Sequence, residues 1–398
     1  MSLVFWTAVA LIGYHLLVYP HLARFLASRW RDRLPPRPQT PDAELPEVTL
    51  IVPAHNEEAV IEAKVENIAA LDYPSGKLTA KICLDGCSDR TETLARRAME
   101  RSPAAVAIDL VSQQACRGKV AVLNENIAQT DAKIIGLSDT SALLDPLALA
   151  RAARWFSDPT VGVVCATYSP SSMASEGERL YWKKQNSLKA DEAVIAAPMG
   201  AHGAFYLFRR SAWTPMPPET INDDFILPMS IVLRGFRMVY DEGVAAHELE
   251  TSAVSHEFRR RIRIGAGNLQ QVIMLWRLAD PRKPKLAFVF CSGKALRALL
   301  PLLAATAMCA SLWLALSGAV LHQTLVITAI AGSAGAYTFS LLCPKLGAPY
   351  LATIGYFVRG LTASFLGAVL LLAQQQGQLW RTSSAAKHSG AKQQGAGS

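Results

Sequence analysis

Ser2 to Pro20 reads SLVFWTAVALIGYHLLVYP and contains no Asp, Glu, Lys or Arg. About 20 apolar residues suffice to cross a bilayer as a helix, and in hydrocarbon a helix is one of the few backbones that satisfies its own hydrogen bonds. A cleaved export signal carries its cations ahead of the apolar core. Here none precedes it, and Arg24, Arg29, Arg31 and Arg33 follow. That polarity is the one expected of an anchor whose downstream side is cytoplasmic. Three further candidate spans lie near 295–320, 321–343 and 348–373, bounded by His322 and by KLGAP at 345–349. Arg359 falls inside the third, where it either lines protein or a water-filled channel, or sits at the interface because the span starts later. The basic-apolar piece KPKLAFVFCSGK, 283–294, has the composition of a segment lying in the membrane surface.

Between these ends the chain changes character. Over all 398 residues, 51% are hydrophobic and 18% charged, too apolar for an ordinary soluble enzyme and too charged to be membrane throughout. The net charge of +8 does not point to nucleic acid, because the cations flank apolar segments, as in RWRDR at 29–33 and at Arg277, Arg282, Lys283 and Lys285, without aromatic interleaving. Membrane lipids are the expected partner of that pattern, and no nucleic acid is expected. The cysteines have no metal-ligand spacing, as in a reduced compartment.

The expected organisation is an N-terminal anchor over 1–30, a proline-rich linker over 31–46, an α/β domain over 47–280, an interfacial segment with about three helices over 281–380, and a disordered tail over 381–398. From Val48, short apolar strands alternate with amphipathic helices. VTLIVPA, KICLD, AVAIDLV, KIIGLSD and VGVVCATY are the strands, and the helix after the first has Ile61, Val65 and Ile68 on one face. Such alternation predicts a parallel sheet covered on both sides. Ligands then bind beyond the carboxyl ends of the strands, where Asp85 and Asp139 stand. Further helices are predicted over 175–195 and from Asp223, and a strand over GAFYLFRR, 203–210.

Polar stations recur at those strand ends. In PAHNEE, 53–58, Asn56 fits a helix cap with Glu57 and Glu58 in the first turn. In LDGCSDRT, 84–91, Asp89 with Glu92 resembles a capping box, whereas Asp85 serves no helix and faces a ligand position. CRGKVAVLN, 116–124, puts Arg117 and Lys119 at a helix start, where phosphates bind. INDDF, 221–225, pairs Asp223 with Asp224: either acids favoured by the helix dipole, or a general base whose pKa is raised by its neighbour. FRRRIRIGAGNLQQ, 258–271, is either a solvated cationic face or a diphosphate site.

In order and spacing, IVPAHNEE, LDGCSDRT, RGKVAVLN, LSDTSALL, GAHGAFYLFRR, INDDF and RRRIRIGAGNLQ resemble the family-2 glycosyltransferases, from about Val48 to Gln271. They resemble more closely the membrane-embedded, polysaccharide-synthase-like branch that includes cellulose, chitin and hyaluronan synthases. The resemblance implies an α/β GT-A (Rossmann-like) domain flanked by transmembrane helices, in an integral protein of a bacterial inner membrane with the catalytic domain facing the cytoplasm. It implies inverting transfer of a sugar from a nucleotide sugar, UDP preferred, to a growing β-linked polysaccharide. Partner subunits of a polysaccharide synthesis and export complex are compatible with it.

Carried over residue by residue, Pro53, Ala54, His55 and Glu57 line the nucleoside pocket, Asp85 contacts base or ribose, and Lys119 lies by the nucleotide. Asp139 matches the first acid of the DxD metal motif, which implies Mg²⁺ or Mn²⁺. Asp224, beside Asp223, matches the catalytic base, and Arg260 and Arg263 match the (Q/R)xxRW motif that caps the acceptor end and the diphosphate. The second DxD acid is Ser141 here and the tryptophan is Ile264. Asp139 with substrate phosphates suffices for a hard cation, with His247 a further ligand or else a core histidine. The missing tryptophan puts processivity in doubt, so the rival expectation is transfer of one sugar to a lipid acceptor. An inactive scaffolding subunit is disfavoured by the joint presence of Asp85, Asp139, Asp224 and Arg263.

Overall fold

A computed structural model of the chain describes residues 1–33, 35–102, 106–171, 176–249, 254–342 and 360–373. Arg359, Cys343 and the expected tail over 381–398 lie outside the described residues. Two compact units form. One comprises Leu22–Ser252 and Leu275–Phe290, the other Met1–His21, Ala253–Met274 and the chain from Cys291 onward.

The first unit is built on a single eight-stranded sheet. Its strands are β1 (Val48–Ala54), β2 (Leu78–Asp85), β3 (Ala107–Gln113), β4 (Ile134–Leu137), β5 (Ala142–Leu144), β6 (Val161–Ser169), β7 (Tyr206–Arg209) and β8 (Arg237–Glu248). They lie in the order β3-β2-β1-β4-β7-β6-β8-β5. β3, β2, β1 and β4 run parallel. The wholly parallel sheet expected from the sequence ends there, because β7 pairs antiparallel with both β4 and β6. β8 then runs parallel to β6, and β5 antiparallel to β8. The sequence reading missed β5 and β8: three residues carry no period, and the long strand is interrupted by Asp241, Glu242 and Gly243.

β1 and β4 are almost completely buried, as central strands covered on both faces must be. The helices of this unit are α2 (Ile61–Ala69), α3 (Thr91–Arg101), α4 (Lys119–Ala128), α5 (Ala148–Arg154), α6 (Glu176–Ile195) and α7 (Asp223–Leu233). They follow α1, the continuous helix Ser2–Trp30. Ile61, Val65 and Ile68 of α2 are fully buried on the sheet, and so is Lys64 on the same face.

The second unit contains Ser2–Gly13, packed along Leu296–Leu316, and α8 (Val254–Met274). The helix α9 (Pro284–Leu316) runs 33 residues without a break and takes in residues 284–294 of the segment expected at the membrane surface. α10 (Val320–Leu342) and α11 (Gly360–Leu372) follow. Among the described residues α1 and α9 are long and apolar enough to span a bilayer. α8 and α11 cross at glycines: a Cβ on Gly367 would lie 2.1 Å from the Ile262 carbonyl oxygen.

Candidate active site

The carboxyl ends of β1, β2 and β4 carry PAHNEE, DGCSDRT and SDTS. Asn56 is not the predicted helix cap. It sits at φ 55°, ahead of α2, and its side chain accepts the Ser88 amide at 2.8 Å. The Glu57 amide donates to Thr91 Oγ1 and the Glu58 amide to Asp89, so the two loops are laced together. Asp89 does hold the first turn of α3 through the Thr91 amide at 3.0 Å. Glu92 does not complete a capping box; it binds Arg96 and Ser112 instead.

Asp85 is buried. One of its oxygens accepts the Arg117 amide and the other the Gly118 amide, both at 2.8 Å. The His55 ring nitrogen lies 2.6 Å from the Asp85 carbonyl oxygen. A Cβ on Gly86, at φ 60°, would lie 2.4 Å from the Cys116 amide nitrogen, so only glycine lets the two loops approach. Asp85 thus anchors the turn that starts α4. Arg117 ion-pairs with Glu125.

Lys119, the first residue of α4, reaches across the sheet. Its ammonium lies 2.9 Å from Asp139 Oδ1 and 3.1 Å from Asp223 Oδ2, which brings three predicted residues to one point, with Asp224 next in the chain. Burial would lower the Lys119 pKa, but Asp139 and Asp223 outweigh it and raise it. Burial would raise Asp139, but Lys119 holds it below its usual value. For Asp224 burial comes first, and the like charge of Asp223 adds to it, so this carboxyl is pushed up. A carboxylate with raised pKa beside a cation is suited to taking a proton.

The loop 200–204 joins the two carboxylates. Pro228 has no N–H, so the Asp224 carbonyl four residues earlier lacks its helical partner; it accepts the Ala201 amide instead, at 2.9 Å. At the other end of the loop, the Gly203 carbonyl accepts the Asp139 amide at 3.0 Å, and a Cβ on Gly203 would lie 2.5 Å from Asp139 Oδ2. His202 between them stacks on Tyr168 at 3.9 Å, and Lys189 of α6 donates to the Ala201 carbonyl.

Sequence reasoning missed three residues here. Lys64 donates to Ser138 Oγ at 2.7 Å and to the Ala142 carbonyl, bracketing Asp139 from below. Burial pulls its pKa down to about 7 against the pull of Asp139 and Glu248. Its place three residues after Ile61 on the apolar stripe was the available signal. Tyr206 is fully buried, with no hydrogen-bond partner for its hydroxyl among the described residues, and burial, then Asp223 and Asp224, raise its pKa. His202 is the third.

Thr140 donates to the Pro53 carbonyl at 2.9 Å, and His247 is taken by Asp145 at 2.9 Å on the exposed side of β8, not in the core. Among the described residues no three His, Cys, Asp or Glu side chains converge as a metal cage. The donor set, one partly exposed carboxylate at Asp139, fits a hard cation that takes its other ligands from substrate oxygens and water. Arg260 and Arg263 stand on α8, in the second unit.

A mixed sheet with acids and a lysine gathered past its parallel strand ends defines a GT-A glycosyltransferase. The family model described as "Glycosyltransferase like family 2" matches residues 46–267, and the chain belongs to that family: it is an enzyme that transfers sugars. A mannosyltransferase from Pyrobaculum calidifontis, solved with GDP-Man and Mn²⁺, superposes on 93% of this chain and 99% of its own with a TM-score of 0.68 at 26% identity. A beta-monoglucosyldiacylglycerol synthase of Synechocystis is 28% identical over 252 residues, 58% of this chain and 50% of the relative, so the chain spans about half that protein's length. An N-acetylglucosaminyltransferase of Rhizobium leguminosarum bv. viciae is 22% identical over 294 residues, 69% of this chain and 68% of its own.

Proposed function

We propose that the protein transfers a single sugar from a nucleotide-sugar donor to a lipid acceptor, with inversion at the anomeric carbon. The observation that carries this is the Lys119 ammonium held between Asp139 and Asp223, next to an Asp224 whose carboxyl is raised. Asp224 removes the proton from an acceptor hydroxyl, which attacks the anomeric carbon from the face opposite the leaving group. Lys119, released from the carboxylates, neutralises the departing diphosphate, a preorganised electrostatic role. Arg260 and Arg263 are assigned to the same charge. Mg²⁺ or Mn²⁺ held by Asp139 would supply further positive charge to the diphosphate.

Pro53, Ala54, His55 and Glu57 form the nucleoside side of the donor pocket, with Asp85 fixing the turn behind it. UDP is the preferred nucleotide by family resemblance. The diacylglycerol-glucosylating relative favours the lipid acceptor over the growing polysaccharide expected from the sequence, and Ile264 in place of the tryptophan points the same way. The catalytic domain, over 47–280, faces the cytoplasm of a bacterial inner membrane, anchored by α1 and the C-terminal helices. The test is product analysis from a panel of radiolabelled sugar nucleotides, with purified protein and membrane lipids. A single-sugar, organic-extractable product is expected; a labelled polymer would return the assignment to polysaccharide synthesis.

A further inference from the structure

The face of α2 that packs Ile61, Val65 and Ile68 on the sheet also carries Lys64, wholly buried. Asn67 stands three residues on, on the same side of the helix. A lysine is almost never fully buried unless a partner offsets its loss of water. Here the two acceptors are neutral: Ser138 Oγ at 2.7 Å and the Ala142 carbonyl. What they share is their place, one residue before Asp139 and three after it. The ammonium therefore spans the turn that carries the carboxylate.

The rest of that turn is tied to backbone. Ser138 passes its own hydroxyl hydrogen to the Ala204 carbonyl at 2.6 Å, and Thr140 donates to the Pro53 carbonyl at 2.9 Å. The Asp139 amide donates to the Gly203 carbonyl at 3.0 Å, and the Ala142 amide closes the turn on the Asp139 carbonyl at 3.3 Å. Asn67 holds something else. Its side chain exchanges two hydrogen bonds with the backbone of Leu144, at 2.8 and 2.9 Å, and so fixes β5 beyond the turn.

Lys64 and Lys119 thus serve Asp139 differently. Lys119 is partly exposed and shared with Asp223, and in the reaction proposed above it is released. Lys64 is enclosed and cannot follow it. Burial opposes the charge on Lys64, and Asp139 is the group that most favours it. Asp139, against its own burial, is held ionised by Lys119 first and by Lys64 among the others.

We propose that Lys64 is a positioning residue for the transfer: it clamps the Asp139 turn from beneath, so that the carboxylate keeps its place when Lys119 leaves it for the diphosphate. This role rests on the transferase reading of Asp139 given above.

The experiment is a double-mutant cycle between Lys64 and Asp139 on the full chain in detergent. It is read as kcat/KM for nucleotide release per folded molecule, and separately as affinity for UDP with Mn²⁺ by calorimetry. Lys64→Met keeps the apolar stem and removes the clamp. Ser138→Ala removes one end of the clamp and serves where Lys64→Met folds poorly. With Asp139 present, Lys64→Met should lower both readouts about tenfold, and Ser138→Ala should lower them by less. In an Asp139→Asn background neither should cost more than about twofold, because residues acting through one group are not additive. Asn67→Ala should lower the melting temperature and leave both readouts unchanged. A merely structural lysine would give the same loss in both backgrounds; that additivity, or no loss with Asp139 present, would overturn the proposal. So would an Asn67→Ala that reproduces the coupled loss, since the effect would then belong to α2 as a whole. Asp139→Asn with both readouts unchanged would overturn the site assignment and this role with it. Coupling seen in UDP affinity, with no donor turned over, would support the clamp and sink the transfer reading instead.

Discussion

Asp85 and Asp139 end two parallel strands of one sheet, with β1 between them, yet the regions around them are built differently. At the end of β2, both carboxylate oxygens accept backbone amides of a turn that glycine alone permits. At the end of β4, the carboxylate is held by one flexible ammonium, which is shared with Asp223. Backbone amides cannot leave without unfolding the turn, whereas a lysine side chain can swing to a new anion by rotating its own bonds. On the function proposed here, the first region fixes the turn beside the donor and the second takes the ligand; the sequence makes both look like strand-end acids aimed at substrate.

The largest test of that contrast exchanges the charges. Asp224→Asn should lower kcat about 10³-fold, the scale of a general base, with donor KM little changed. Asp85→Asn should instead cost about 2–3 kcal/mol of stability, since an amide cannot accept both turn N–H groups, and spare kcat per folded molecule. If Asp85→Asn removed turnover with melting unchanged, the assignments would have to be exchanged. Lys119→Met comes next, with about a 10²-fold loss in kcat/KM, read from steady-state nucleotide release.

Lys64 gives a smaller effect, seen in stability. Its folded-state pKa, about 7, lies below a lysine's usual 10.5, so over that window the unfolded chain binds more protons and stability rises with pH. Chemical denaturation at pH 7 and pH 10 should show a gain, on the order of a few kcal/mol, that is absent in Lys64→Met. An equal slope in both proteins would mean the lysine titrates normally. Smallest is Tyr206→Phe. It removes a buried hydroxyl that has no partner among the described residues, and should leave stability unchanged or raise it by about 1 kcal/mol; a clear fall in melting temperature would reveal a partner for that hydroxyl.

Local signals made much of the molecule legible. The helices starting at Lys119 and Asp223, the uncharged helix from Ser2 and the parallel strands from β1 to β4 follow from apolar period and turn chemistry. The approach of Lys119, Asp139 and Asp223 was carried only by resemblance, because those residues come from three elements. The antiparallel insertion of β7 was not legible, since strand direction is decided by pairing across distant sequence. That both Asp85 oxygens accept the amides of residues 117 and 118 was not legible, because backbone partners leave no side-chain pattern. The role of Pro228 was not legible either: its missing N–H frees the Asp224 carbonyl to hold the Ala201 amide, a partner distant in sequence.

Proton removal by Asp224 is tested most directly by the pH dependence of nucleotide release, for the wild-type chain and for Asp223→Asn. Burial and the neighbouring carboxylate both raise Asp224, and activity requires the ionised form. The acid limb of kcat should therefore lie above the usual carboxylate range, about pH 4, and Asp223→Asn should move it to lower pH. An acid limb at the ordinary carboxylate value that Asp223→Asn leaves in place would contradict Asp224 as the base.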